Sequence, residues 1–350
     1  MKNRLAVVCA GILVVLLLSL LVVFNHQKPR LLILHSFSED GAWEKAFDAG
    51  FRKELARNLE PNSVRWHYML FSQHLSTRQW MAASRRSREM IDGWNPDVVV
   101  TVGEEAQEFV GRHYAGSPAP RLVYAMGEEP AEFGYPSARN VTGVLESLPL
   151  GQVLEITRFL GRPVRIRALG INDPTGRAEA RQVRDFDWGP DRLLGVDLVN
   201  DYVDWQTAVQ AAGEDADVLL VLSTGGLPKA PGSAEDVETA VLADWTERTS
   251  KPLVIGSRES FVAGGGALAV VPSARGLGEQ AAHQALRALQ SVRSGQPLPA
   301  PEANRDYLIA LRPDLLAARS LALPDIYFQS ARASNSLYPL HGHTMTSHHP

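Results

Sequence analysis

Hydroxyls, amides, carboxylates and aromatic rings in this 350-residue chain gather just after short apolar runs, the positions where such groups can hold a ligand. Ser36, Phe37, Ser38 and Trp43 follow the run 31–35. Gly103, Glu104 and Glu105 follow 98–102, and Met126, Gly127 and Glu128 follow 122–125. Farther on, Asn172 and Asp173 follow 164–171, Ser223, Thr224 and Gly225 follow 218–222, and Ser257, Arg258 and Glu259 follow 252–256. Helix starts bearing Ser, Thr and Gly suit an anionic or polar group, and Trp43 with Phe37 suits an aromatic or apolar body. Non-covalent capture of a small polar or amphipathic molecule is the chemistry this mixture fits. The same residue types also serve as ordinary helix N-caps, and Glu104 and Glu105 suit a helix start through the dipole alone. The expected ligand-binding set is Ser36, Phe37, Ser38, Trp43, Gly103, Glu104, Met126, Glu128, Asn172, Ser223, Thr224, Ser257 and Glu259.

Catalytic readings lack their motifs. His35-Ser36-Phe37-Ser38-Glu39-Asp40 stands where a dinucleotide-binding G-x-G-x-x-G would follow the first strand. No G-x-x-x-x-G-K-[ST] loop and no G-x-S-x-G elbow occurs, so no enzyme activity and no catalytic residue is expected. The lone Cys9 excludes an intramolecular disulfide and any multi-cysteine metal site. His341, His343, His348 and His349 lie in a terminal stretch with no carboxylate in a fixed element, so no metal and no cofactor is expected. The net charge of −4 excludes a generally basic surface for nucleic acid.

The elements that must position these residues come from the hydrophobic pattern. Apolar runs alternate with helical spacing, as in Ala46, Phe47, Phe51, Leu55 and Leu59 after the first run. Such strands, apolar throughout, belong to parallel sheets covered on both faces. The pattern starts again near residue 140, which predicts an α/β protein of two doubly wound parallel-sheet lobes. One lobe is expected over 30–139 plus about 273–300, the other over 140–272, opening with a strand at 141–145, plus about 301–325. Residues 326–350 show no clear period and are expected to form a C-terminal surface extension.

Residues 5–24 carry no charge and span about 30 Å as a helix, enough to cross a bilayer. Lys2 and Arg4 precede them, which favours a cytoplasmic N-terminus, and no A-x-A cleavage pattern follows. Residues 1–29 are therefore expected to be a membrane anchor or a signal segment. The remainder is then placed on the periplasmic or extracellular side, tethered or secreted after cleavage.

Several local signatures, in order, resemble the substrate-binding protein family of ABC transporters, which has the type 1 periplasmic binding protein fold. They are 31–43 (LLILHSFSEDGAW), 96–106 (PDVVVTVGEEA), 140–144 (NVTGV), 265–270 (GGALAV), 276–282 (GLGEQAA) and 317–324 (AARSLALP). The likeness covers roughly residues 30–325 and points to the branch with aromatic amino-acid binders. It implies two lobes that close on an amino-acid-like small molecule and deliver it to an ABC permease. The stretch around His35-Ser36-Phe37 and Trp43 also resembles sensory versions of the domain, which implies the alternative of a membrane-tethered sensory or scaffold module acting on another envelope protein.

Overall fold

The computed structural model describes residues 13–17, 19, 28–58, 63–71, 76–127 and 130–338. The first lobe is built from β1 (Arg30–His35), α1 (Ala42–Arg57), β2 (Ser63–Tyr68), α2 (Thr77–Trp94), β3 (Val98–Val102), α3 (Glu104–Phe109), β4 (Arg121–Met126) and β5 (Val141–Glu146). The second comprises α4 (Leu150–Thr157), β6 (Arg165–Ile171), α5 (Pro174–Asp185), β7 (Arg192–Val199), α6 (Tyr202–Asp215), β8 (Val218–Val221), α7 (Thr239–Thr249), β9 (Leu253–Gly256), α8 (Glu259–Ala263) and β10 (Leu268–Pro272). The chain then returns to the first lobe for α9 (Ala274–Ser294) and β11 (Glu302–Asn304). It ends on the second with β12 (Tyr307–Leu311), α10 (Pro313–Ala318) and α11 (Asp325–Ala333).

Each lobe holds one six-stranded sheet, in the orders β11-β5-β4-β3-β1-β2 and β12-β10-β9-β8-β6-β7. All pairings are parallel except β10 with β12. The central strands are buried along their whole length, as in β3 (VVVTV), because helices cover both faces. In the first lobe one core joins Leu31 and Ile33 to Phe47, Phe51 and Leu277, while the opposite face packs Leu32 and Leu34 with Ile91 and Tyr124. Local signals set the helix ends. Ser76 and Gln79 form a capping box at the start of α2, and Asn95 closes that helix in the left-handed region.

Three corrections to the sequence reading follow from strand pairing and burial. Residues 141–145 do not open the second lobe: β5 pairs in parallel with β4, from Leu122↔Val141 to Met126↔Leu145, and completes the first sheet. Part of the 301–325 segment also belongs there, since β11 pairs with the free edge of β5 through Glu302↔Val144. The segment beyond 325 is no loose extension over its described part. Ala331 and Ser336 are fully buried, Leu337 bridges to Leu311, and Tyr327 and Phe328 pack on the second-lobe core. Residues 339–350, with their four histidines, lie outside the described residues. So does most of 5–24, where residues 13–17 and 19 are helical. Among the described residues no helix is long and apolar enough to cross a membrane.

The chain passes between lobes three times: after β5, at Ser273, and between β11 and β12. The last two passages are tied together, Ser273 N–H donating to the Asp306 carbonyl at 2.8 Å and Asn304 Nδ2 to the Ser273 carbonyl at 3.1 Å. At the first, Leu148 N–H donates to Gln182 Oε1 at 2.7 Å.

Helix α9 enters the first lobe against α1 at two glycines. A Cβ on Gly50 would stand 2.0 Å from the Arg275 carbonyl oxygen, and one on Gly278 would stand 2.1 Å from that of Phe47. Alanine at either position gains about 1 kcal/mol of helix propensity and loses about 1–3 kcal/mol or more to overpacking against backbone that cannot yield. Gly50→Ala and Gly278→Ala are therefore expected to destabilise in denaturant unfolding. Gly93→Ala in α2, where a Cβ meets nothing within 4 Å, is expected to stabilise by about 0.5–1 kcal/mol. Stabilisation by all three would show that α1 and α9 do not meet this closely.

Candidate functional site

In an open parallel sheet the loops after the strand carboxyl ends form the ligand crevice, and here the crevices of both sheets face one cavity of about 960 Å³. Nine residues expected from sequence line it. Ser36, Phe37, Trp43, Gly103, Glu104 and Met126 come from the first lobe, and Asn172, Ser223 and Thr224 from the second. Glu128 lies outside the described residues. Three others are not brought to the cavity. Ser38 sits in a surface turn and accepts from Asp40 N–H at 3.3 Å. Ser257 is buried behind the loop, its N–H donating to the Val221 carbonyl. Glu259 faces the C-terminal segment, accepting from the Ser336 hydroxyl at 2.8 Å and the Tyr338 hydroxyl at 3.0 Å.

The site also uses residues outside the expected set. Glu146 ends β5, so the strand-end rule would have found it had β5 been placed in the first sheet. Phe71 follows β2 and obeys the same rule. Trp80 and Phe109, on α2 and α3, carry no local signal of their position.

Arg258, in the loop before α8, organises the charges. Its side chain is 18 % exposed; it pairs with Glu179 on α5 in its own lobe and stands 3.6 Å from Glu146 of the other lobe. Glu179, almost fully buried, also accepts from Ser223 N–H at 2.6 Å, which fixes the loop carrying Thr224. Glu146 in turn accepts from Trp43 Nε1 at 3.1 Å. Burial pushes the Glu179 carboxyl up from its ordinary value, and Arg258 opposes that rise. The pairs with Glu179 and Glu146 hold the Arg258 guanidinium charged despite burial.

Glu104 Oε1 accepts from Gly127 N–H at 2.8 Å, and the Thr175 hydroxyl of the second lobe donates to Oε2 at 3.5 Å. Desolvation, with the charges of Glu105 and Glu146 adding to it, pushes the Glu104 carboxyl up to about 8. It is thus mostly protonated at neutral pH. His35, whose ring borders the cavity, is tied into the core: Nε2 lies 2.9 Å from Asp48 Oδ1, and the Tyr68 hydroxyl donates to Asp48 Oδ2 at 2.5 Å.

Two of the helix starts facing the cleft already have one N–H each capped by this chain. Ser36 Oγ accepts from Ala106 N–H at 2.9 Å in α3, and Asp173 Oδ1 accepts from Gly176 N–H at 2.6 Å in α5. An anionic ligand group at either start would therefore share it with a side chain of this chain. The arrangement offers hydroxyls, rings and carboxyls to a bound molecule, and no grouping of His, Cys, Asp and Glu fit for a metal ion occurs among the described residues.

The ionic geometry gives two expected outcomes. Arg258→Ala leaves Glu179 buried without its cation and is expected to cost about 3–5 kcal/mol in denaturant unfolding. Adding Glu179→Gln should recover most of that loss; a single-variant cost near zero would show that the pair is solvated. For Glu104, folding raises the carboxyl from about 4.3 in the unfolded chain to about 8. Between those values the unfolded chain sheds a proton that the folded chain keeps, so this group's contribution to stability falls as pH rises. Glu104→Gln should therefore gain stability relative to the parent as pH rises from about 4.3 to about 8, measured by melting temperature. A difference independent of pH would show that Glu104 is ionised in the folded protein.

No protein-family model matches the chain, and no curated protein matches it in sequence. Solved structures do. A conserved domain protein from Vibrio cholerae superposes with a TM-score of 0.60 at 16 % identity, over 87 % of this chain and 98 % of that one. The ABC domain from Streptococcus pneumoniae in complex with L-Trp gives 0.62 at 14 %, over 87 % and 98 %. The ligand-free, open form of a substrate-binding protein with adhesive properties from Clostridium difficile gives 0.61 at 11 %, over 89 % and 99 %. The two six-stranded sheets, the triple passage between them and the shared cavity at their carboxyl edges give this chain the two-lobed type 1 periplasmic binding protein fold.

Proposed function

We propose that this protein is an extracytoplasmic solute-binding protein that closes its two lobes on a small amphipathic molecule, amino-acid-like in size, and presents it to an ABC permease. The observation that carries this reading is the cavity of about 960 Å³ at the carboxyl ends of both sheets, to which each lobe contributes hydroxyls and acids. Hinge closure needs few covalent passages and a ligand that touches both walls more favourably in the closed form. The three crossings supply the first condition. Trp43 on one wall and Thr224 on the other supply contacts for the second. The Streptococcus neighbour's L-Trp supports an aromatic body in the ligand. The uncharged run 5–24 behind Lys2 and Arg4 supports a location outside the cytoplasm.

A second reading, a membrane-tethered sensory or scaffold module of the same fold, is favoured by one observation. The apolar run is long for a signal peptide and ends without a cleavage pattern.

Native mass spectrometry of the purified protein should reveal a bound small molecule. A ligand at 100 times its Kd should stabilise the fold by about 2.7 kcal/mol. Trp43→Ala and Thr224→Ala should each weaken that binding while leaving the protein folded. Unchanged affinity in both variants would place the ligand elsewhere and overturn the proposal.

A further inference from the structure

We infer that the ligand of this cleft is a cation, an organic ammonium on an aromatic or apolar body, seated among the rings and carboxylates of the first lobe. The inference rests on the binding role proposed above and names the charge of the molecule bound. Its first support is a cluster of three rings lining the cavity. Phe71 and Trp80 have centroids 5.8 Å apart, Phe71 and Phe109 5.2 Å, and Trp80 and Phe109 5.6 Å. Rings grouped in this way attract ammonium groups through their quadrupoles. Helix α3, which supplies Phe109, also brings Glu105 and Glu108 to the cavity wall. Glu105 and the Phe109 ring thus come from one short element, while Glu108 is paired with Arg112 at 2.7 Å.

The second support is how little the cleft offers to an anion. Of the two arginines lining it, Arg258 is committed to Glu179 and Glu146, and Arg177 lies 3.4 Å from the Asn172 side-chain oxygen. One N–H at the start of α3 and one at the start of α5 are already taken, by Ser36 and Asp173. The acids lining the cleft outnumber its two arginines, which favours a cation over an anion.

The third support is Thr224 on the opposite wall. It is 3 % exposed, lines the cavity, and its hydroxyl has no hydrogen-bond partner among the described residues. A hydroxyl so placed can accept from an ammonium N–H as the lobes close.

Glu104 provides a distinctive readout. It is faced by Glu105 on its own helix, Glu146 on β5, Arg258 before α8, the Gly127 N–H and the Thr175 hydroxyl of α5. A cation arriving beside this cluster favours the ionised carboxylate. Binding at neutral pH should then release a proton.

The test is calorimetry on the full-length purified protein with ligands matched in shape and differing in charge. Tryptamine (cation), tryptophan (zwitterion) and indole-3-propionate (anion) form one set, and 1,5-diaminopentane and glutarate the other. The tightest of the five should be a cation, favoured over its matched acid by at least about tenfold. Its binding heat at pH 7 should vary with the ionisation enthalpy of the buffer in the sense of proton release. Glu105→Gln should remove most of the preference while circular dichroism remains that of the parent, and Trp80→Leu should weaken the cation more than the anion. Tryptophan, indole-3-propionate or glutarate binding as tightly as both tryptamine and 1,5-diaminopentane would overturn the inference and leave the binding role standing. If none of these compounds, and none of a wider panel of amino acids, nucleosides and sugars, stabilises the protein, the inference and the binding role both fall.

Discussion

A guanidinium cannot be buried alone: moved into a low-dielectric interior without an anion it costs several kcal/mol, so its surroundings must supply counter-charge. Arg258 meets that demand with one carboxylate from each lobe, Glu179 and Glu146. Much of the cleft follows from this choice. Glu179 holds the backbone of Ser223, and through it the loop that carries Thr224. Glu146 holds the indole N–H of Trp43 and adds a smaller push to the desolvation that raises the Glu104 carboxyl. The same cation therefore orders a wall of each lobe and spans the gap between them. A contact at 3.6 Å in a polar gap is weaker than the close pair with Glu179, so the interlobe half of the cluster is the half free to open.

Much of the architecture was legible because burial on both faces of a sheet leaves a signature in the chain. The runs around Leu31, Val98, Val218 and Leu253 are apolar without alternation, and each became a central strand. What local pattern does not encode is which strand a run will pair with. Residues 141–145 read as a strand correctly and as a member of the wrong sheet, because partner choice rests on contacts distant in sequence, among them Gly143 packed closely against Tyr124 of β4. β11, only Glu302–Asn304, has no apolar residue longer than Ala303 and was invisible for that reason. In the tail, Ala331 and Ser336 are buried by a surface that forms only once β12 is in place.

The site divides along the same line. Residues that follow central strands, such as Ser36, Gly103, Asn172 and Thr224, could be chosen from the strand-end rule. Ser257 and Glu259 obey the same rule in sequence yet turn away, because one loop of three residues cannot aim every side chain at the cleft and Arg258 takes the inward position. Phe71, Trp80 and Phe109 come from three separate elements, and only the packing of α2 and α3 beside β2 gathers them. Hydroxyls at helix starts suit an anion; at two of those starts one orphan N–H each is satisfied internally instead.

The glycine contact between α1 and α9 has a bearing on how the polypeptide acquires its shape. The first lobe's innermost helix is encoded after nearly the whole of the second, so a nascent chain that has emerged only as far as β10 lacks the surface that covers Leu31, Phe47 and Phe51. Those side chains wait in water, or in the care of a chaperone, until Leu277 and Ala281 arrive. Neither half of this molecule is a portable fragment: severing the chain at Ser273 would strip one lobe of the cover on one face of its sheet and the other of its edge strand β12.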